Sequence, residues 1–254
     1  MKKKLIIANW KLNGDKTRIL NFLNLLNESN IQKKDEKCKI VIAFPVIYLY
    51  LARQVNLKKN IFLGAQNVDL NLLGAFTGEI SVDMLKDMGV SYVIIGHSER
   101  RRYHKESDII IARKFKIVKE ANLTPILCIG ENKVEKELGK TKEVCARQLN
   151  SILSMLGPKI FDNAIIAYEP IWAIGSGKVA SPSSIQKIHK FIKEYIKKYS
   201  ILGYETTLVQ YGGSVDENNV SQLLNEADID GVLVGGASLN YNRFSKIINI
   251  INQF

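Results

Sequence analysis

The sequence predicts an α/β fold in which eight short strands alternate with helices. Three observations carry this. Short β-branched runs recur along the chain, and longer amphipathic stretches separate them. The length of 254 residues also matches the roughly 250 that a barrel of eight such units needs. Periodicity does not separate a closed barrel from an open doubly wound sheet, and both stand at this point. No Pro/Gly/Ser-rich linker, low-complexity tract or further repeat divides the chain, so one domain over residues 1–254 is expected.

The predicted strands are Leu5–Ala8, Ile40–Ala43, Ile61–Ala65, Tyr92–Ile95, Pro125–Ile129, Ala164–Ala167, Thr207–Gln210 and Gly231–Val234. Apolar runs of this length are what parallel strands buried on both faces look like. Between them lie helical patterns. The clearest is Ile109-Ile110-Ile111, Phe115 and Val118, with charges on the opposite face. A second runs from Ser183 to Tyr199, where Pro182 suits the opening turn because its missing N–H costs nothing there.

A 46% hydrophobic content is ample for a core, and 24% charged residues argue against wholesale disorder. The formal net charge is +11, yet Lys and Arg are scattered through helix-like stretches and no basic run is interleaved with aromatics. An ordinary basic surface is therefore expected, with no nucleic-acid partner; a positive field favours encounter with a small anion. Cys38, Cys128 and Cys145 cannot all pair and show no CxxC spacing, which argues for a reducing compartment and against a zinc site. The basic start at Met1 leads into an apolar run that stops at Asn9, short of the ~7–15 residues of a signal-peptide core. The run Ile40–Ala52 is broken by Pro45 and is shorter than the ~20 residues that span a bilayer. A cytoplasmic protein without membrane partners is expected.

In such folds the reacting groups gather at the C-terminal ends of strands, so polar residues that close an apolar run carry the interest. Five places qualify. Asn9-Trp10-Lys11 offers a positive charge to an anion after the first strand; alone, a solvated lysine over a packed tryptophan would be the better explanation. Gly96-His97-Ser98-Glu99-Arg100-Arg101 places an imidazole, a candidate acid or electrophile, among more polar groups than packing requires. His104 and His189 lack such company and receive no role.

Glu169 closes a buried run, where poor solvation disfavours a bare charge. Pro170 then holds Glu169 extended, and the apolar stretch running to Gly175-Ser176-Gly177 resembles a lid hinged at Pro170 and near Gly177. Two rival motifs fail here. Trp172 and Val179 break a P-loop, and the Glu-Pro-Ile-Trp insertion separates Gly175-x-Gly177 from the strand that a dinucleotide fingerprint needs. Last come Tyr211-Gly212-Gly213-Ser214 and Val234-Gly235-Gly236-Ala237. Paired glycines let backbone N–H groups approach an anion, and at these two strand ends a phosphate site outweighs a mere tight turn.

These segments, together with Gly64-Ala65-Gln66-Asn67 and Gly74 to Glu79, resemble the signatures of the triosephosphate isomerase family. They stand in its order and spacing from residue 9 to 236, with Arg102 to Asp108 similar to its bacterial branch. The resemblance implies a (β/α)8 TIM barrel, a homodimer and a glycolytic and gluconeogenic isomerase of triose phosphate that needs no cofactor and no metal. It implies Glu169 as the base, His97 as neutral electrophile, and Lys11 and Asn9 beside the developing enediolate. It further implies Glu99 acting from behind them, and N–H groups of Gly175, Ser214, Gly235 and Gly236 on the phosphate. The loop around Phe76 would insert beside a partner's site. Ser176 departs from the family's usual Thr; losing the β-branch predicts a more mobile open lid with its chemistry intact. A barrel acting on larger sugar phosphates would not need the His97 segment or the lid. A non-catalytic anion binder would lack at least one of Lys11, His97 or Glu169.

Overall fold

In the computed structural model, which describes residues 4–28, 38–174 and 180–254, eight parallel strands close into a barrel. They are β1 (Lys4–Asn9), β2 (Cys38–Ala43), β3 (Ile61–Ala65), β4 (Val90–Ile95), β5 (Thr124–Ile129), β6 (Ile165–Tyr168), β7 (Leu208–Tyr211) and β8 (Gly231–Val234). Each pairs with its neighbour in sequence, and β8 returns to β1 through Ile6 beside Val232 and Ala8 beside Val234. The open-sheet alternative is thereby removed. Gly175 and Ser176, with the expected second hinge near Gly177, lie outside the described residues.

Both faces of the strands are buried, which explains their lack of polar alternation. In β2, Val41 and Ala43 point into the barrel, while Ile40 and Ile42 point out against helices. The interior is filled by Leu5, Ile7, Tyr92, Ile94, Ile126, Ile165 and Leu233 among others, so the barrel is a packed core rather than a pore. The outer layer packs against helices such as Lys16–Glu28, Thr141–Leu156 and Tyr241–Ile251.

The expected strands β6 and β7 each sit one residue later than the apolar runs suggest. Thr207 is buried and β-branched, but its hydroxyl donates to the Phe161 carbonyl at 2.8 Å, and its N–H still closes the turn of the helix Ile201–Thr206. The helix predicted around Ile109–Val118 spans Asp108–Glu120 and is capped by Ser107. Ile111, Phe115 and Val118 are buried as expected, whereas Ile109, in the first turn, is exposed. Pro182 opens the helix Pro182–Lys197, and the Ser181 side chain accepts from Ser184 N–H to cap it.

His189, on that helix, is fully buried between Tyr168 and the Asp228 carbonyl, 3.2 Å from its Nδ1. Burial pushes its pKa down from 6.5 to about 3; the carbonyl opposes this and Lys193 adds to it. The unfolded imidazole takes a proton below about 6.5, while the folded one stays neutral until about 3. Between those values the unfolded state binds more protons, so stability falls as pH falls, by up to about 1.4 kcal/mol per pH unit. Urea unfolding between pH 6.5 and 4.5 should therefore show a shallower decline in His189→Gln than in the unaltered protein. Equal slopes would remove His189 from the acid sensitivity.

Candidate active site

At the C-terminal mouth of the barrel lies a cavity of about 380 Å³, and the ends of β1, β4, β6, β7 and β8 meet there. Asn9, Lys11, His97, Glu169, Ser214, Gly235 and Gly236 all line it, although more than two hundred positions separate the first from the last. Glu99 stands behind Lys11 rather than in the cavity wall, and Gly175 is not described.

Glu169 follows β6 directly. Its N–H donates to the Ile129 carbonyl at 2.7 Å, which keeps the ladder to β5 going for one more residue and fixes where the side chain starts. The carboxylate is 1% exposed. Its Oε2 accepts from the Ser98 N–H at 3.1 Å. Its Oε1 lies 3.2 Å from His97 Nε2, but this approach lacks the alignment of a hydrogen bond, so Oε1 has no hydrogen-bond partner among the described residues. A buried carboxylate with one oxygen tied and one unpaired is a base with a free lone pair, held in place.

His97 follows β4 and is 4% exposed. Its Nδ1 accepts from the Glu99 N–H at 3.3 Å; the Glu99 carboxylate is farther from Nδ1, at 3.6 Å. A backbone N–H can only donate, so Nδ1 is the bare nitrogen and the ring's proton sits on Nε2, facing the cavity. Behind these groups, burial and then the charge of Glu169 push the Cys128 thiol far above its ordinary pKa, so it is an inert neutral neighbour.

Lys11 lies in the left-handed region at φ 52°, unusual for a residue with a side chain and costing about 1–3 kcal/mol. Its N–H donates to Asn9 Oδ1 at 3.0 Å, and its ammonium sits 2.5 Å from Glu99 Oε1. Glu99 thus ties the ammonium of Lys11 to the loop that carries His97. The stem of Lys11 passes Gly235, where a Cβ would stand 3.7 Å from Cε.

The two glycine pairs differ in physical reason. Among the described residues the N–H groups of Ser214, Gly235 and Gly236 have no hydrogen-bond partner, and a Cβ at Gly236 would meet nothing within 4 Å. That is an open cradle of donors, as expected for an anion site. At Gly212 and Gly213 the glycines make room for neighbours: a Cβ would come within 2.9 Å of Glu169 Cγ at the first and collide with the Tyr211 hydroxyl at the second. Ser214 Oγ donates to the Ala173 carbonyl at 2.8 Å, so its side chain holds the described end of the segment that the sequence suggests as a lid.

Sequence reasoning passed over Glu131. It is fully buried after β5, where its carboxylate accepts from the Trp172 indole at 2.8 Å and from the Tyr168 hydroxyl at 3.1 Å. Its carbonyl accepts from Ile171 N–H at 3.0 Å, so Glu131 anchors the first turn after Pro170. The signal was present: Cys128-Ile129-Gly130-Glu131 is another apolar run closed by a polar residue. Among the described residues no group of three or more His, Cys, Asp or Glu side chains could hold a metal ion.

The family model described as triosephosphate isomerase matches residues 4–251. A triosephosphate isomerase of Buchnera aphidicola subsp. Cinara cedri is 55% identical over 254 residues, covering 99% of this chain and all of its own length. Those of Salmonella newport and Salmonella agona are 51% identical over 253 residues, covering 98% of this chain and 96% of theirs. The chain belongs to the triosephosphate isomerase family. The resemblance read from the motifs is borne out, and so is the (β/α)8 barrel.

Gly130 sets the position of Glu169. A Cβ there would overlap the Glu169 carbonyl oxygen, a backbone atom that cannot swing aside. Gly130→Ala should therefore displace Glu169 and lower kcat/KM by at least about tenfold, since misplacement of a reacting group by about 1 Å can cost ~10²-fold. Steady-state assays that find the variant as fast as the unaltered enzyme would show that the strand end tolerates the shift.

Proposed function

We infer that this chain interconverts dihydroxyacetone phosphate and D-glyceraldehyde 3-phosphate, moving one proton between adjacent carbons through an enediolate. This is the aldose–ketose isomerisation of glycolysis and gluconeogenesis. The observation that carries the residue assignment is the unpaired Oε1 of buried Glu169 in one cavity with His97 Nε2–H and the Lys11 ammonium.

In this reading Glu169 takes the proton from one carbon and returns it to the next. The Nε2–H of His97 polarises the carbonyl and follows the charge as it moves between the two oxygens. The family is the standard example of this pairing of a carboxylate base with a neutral imidazole. Lys11 and Asn9 stabilise the developing negative oxygen, and Glu99 acts through Lys11 and His97. The N–H groups of Ser214, Gly235 and Gly236, with that of Gly175, hold the phosphate. The chemistry is proton transfer alone and calls for no cofactor. An enediolate can expel phosphate, so water must be kept out while it exists. The family's lid is again the standard case of closure, and the tie from Glu131 to Trp172 supports a fixed start for its first turn.

Residues 1–254 act as one barrel domain in this reading, as a homodimer in the cytoplasm without nucleic-acid or membrane partners. Leu12, Ile47, Leu73 and Phe76 support the dimer. They are exposed by 97, 74, 85 and 48% on the loops that follow three adjacent strands, β1 to β3, and so crowd one side of the barrel mouth. An apolar face of that kind is what a self-complementary interface covers. Buried thiols at Cys38, Cys128 and Cys145 fit a reducing compartment. Among the described residues no helix is long and apolar enough to cross a membrane.

A coupled assay of glyceraldehyde 3-phosphate conversion tests the chemistry. Glu169→Gln keeps the shape and removes the base, and should cost at least ~10²–10⁴-fold in kcat. An inactive unaltered enzyme, or a variant of equal rate, contradicts the assignment. For the dimer, sedimentation velocity should find a two-chain species that Phe76→Glu converts to single chains; a monomeric unaltered protein contradicts it.

A further inference from the structure

We propose that Gln66 is a positioning residue for Lys11, clamping the left-handed turn that aims the lysine into the site. The inference rests on the role given to Lys11 above and deepens it. Gln66 follows β3, and its side chain reaches back to the ends of the neighbouring strands β2 and β1. Its Nε2 donates to two carbonyl oxygens, that of Lys11 at 2.9 Å and that of Ala43 at 3.0 Å. Both neighbours are acceptors, so only the amide nitrogen fits there, and its two hydrogens match two bonds.

The geometry gives this contact a purpose. Lys11 is one of four non-glycine residues at positive φ among those described, and the one of the four that lines the cavity. Such a conformation persists when its surroundings over-determine it. Here the N–H of Lys11 is held by Asn9 Oδ1 and its carbonyl by Gln66, so two side-chain amides grip both ends of one backbone unit. The Ala43 carbonyl also accepts from Trp10 N–H at 3.1 Å, and Ala43 is the register partner of Asn9. Gln66 thus ties the turn after β1 to the ends of β2 and β3. Without it the Lys11 carbonyl has no other hydrogen-bond partner among the described residues, and the turn is held from its N-terminal side alone. The ammonium would then reach Glu99 and the substrate from a different starting direction.

A double-mutant cycle tests this. Gln66→Leu removes both bonds and keeps the bulk; Gln66→Asn keeps an amide that is one methylene too short to span both carbonyls. Each should lower kcat/KM about tenfold, the scale of one well-formed hydrogen bond in a positioned group, with oligomeric state unchanged by sedimentation. Combined with Lys11→Met and assayed at high enzyme concentration, the same changes should alter the residual kcat/KM by less than about twofold, because the residue they position is gone. An equal loss in both backgrounds would assign Gln66 to the fold or the dimer and overturn the proposal, as would no loss in either single variant. If Gln66→Leu does not fold, the Gln66→Asn pair decides by the same criteria. A fully active Lys11→Met would instead overturn the role of Lys11 itself, and the proposal with it.

Discussion

A carboxylate that is 1% exposed at the end of an apolar barrel strand needs donors from other strands, and the rest of this site is organised by that need. Glu169 cannot be hydrated where it sits. One oxygen is satisfied by the Ser98 N–H, at the first residue of the short helix after β4. The other faces His97 without a bond. The placement is made by backbone: the ladder bond from Glu169 N–H to Ile129 and the absence of a side chain at Gly130. In the proposed role of base, Glu169 held this way needs little reorganisation, because strands fix its backbone and the Ser98 N–H fixes one carboxylate oxygen.

The same logic explains why the other polar groups come from different strand ends. Parallel strands deliver their C-terminal ends to one face, so β1, β4, β6, β7 and β8 each contribute a short loop to one cavity. Lys11 supplies the positive charge, Glu99 couples it to the loop of His97, and Gly235 leaves space for its stem. Around the site a second ring of hydrogen bonds supports the loops that line the cavity. Glu131 holds Trp172 and Tyr168, Ser214 holds Ala173, and Arg101 ties the carbonyls of Gly96 and Cys128. These partners convert loops into fixed supports for the groups in front of them.

How much of this the sequence shows depends on the physics behind each feature. Strands buried on both faces leave apolar runs, so all eight were legible; β3 and β8 match at both ends, and β2, β4 and β5 end on the predicted residue. The offset in β6 and β7 arose because burial does not mark hydrogen bonding: Ala164 and Thr207 are buried yet belong to the turns before the strands. Polar residues that end an apolar run found Lys11, His97 and Glu169. The same rule applied to β5 would have found Glu131. Gly212 and Gly213 were read as anion-binding glycines, whereas their spacing is demanded by Glu169 and Tyr211, neighbours brought by another strand. No local pattern encodes a contact of that kind. Gln66 was visible only as part of a motif, since its function depends on where the carbonyls of residues 11 and 43 arrive.

Direction along the strand also separates chemistry from stability at the opposite end. Lys193 is buried against Asp230, 3.0 Å away, and approaches Asp228 at 3.5 Å. Lys4 donates to the Ile229 carbonyl, and Asp230 accepts from the Val209 N–H. Taken as a list of residues, these buried and half-buried lysines and aspartates look as reactive as those around the cavity. Their position says otherwise. Lys4 begins β1 and Asp230 precedes β8, so the cluster lies at the N-terminal ends of the strands, beyond the packed interior from the cavity. Each charge there already has an opposite charge or a backbone partner, and none is left free in the way that Glu169 Oε1 is. A buried charge fully paired with its neighbours fixes the fold, and one left half-paired beside a cavity is available to a substrate.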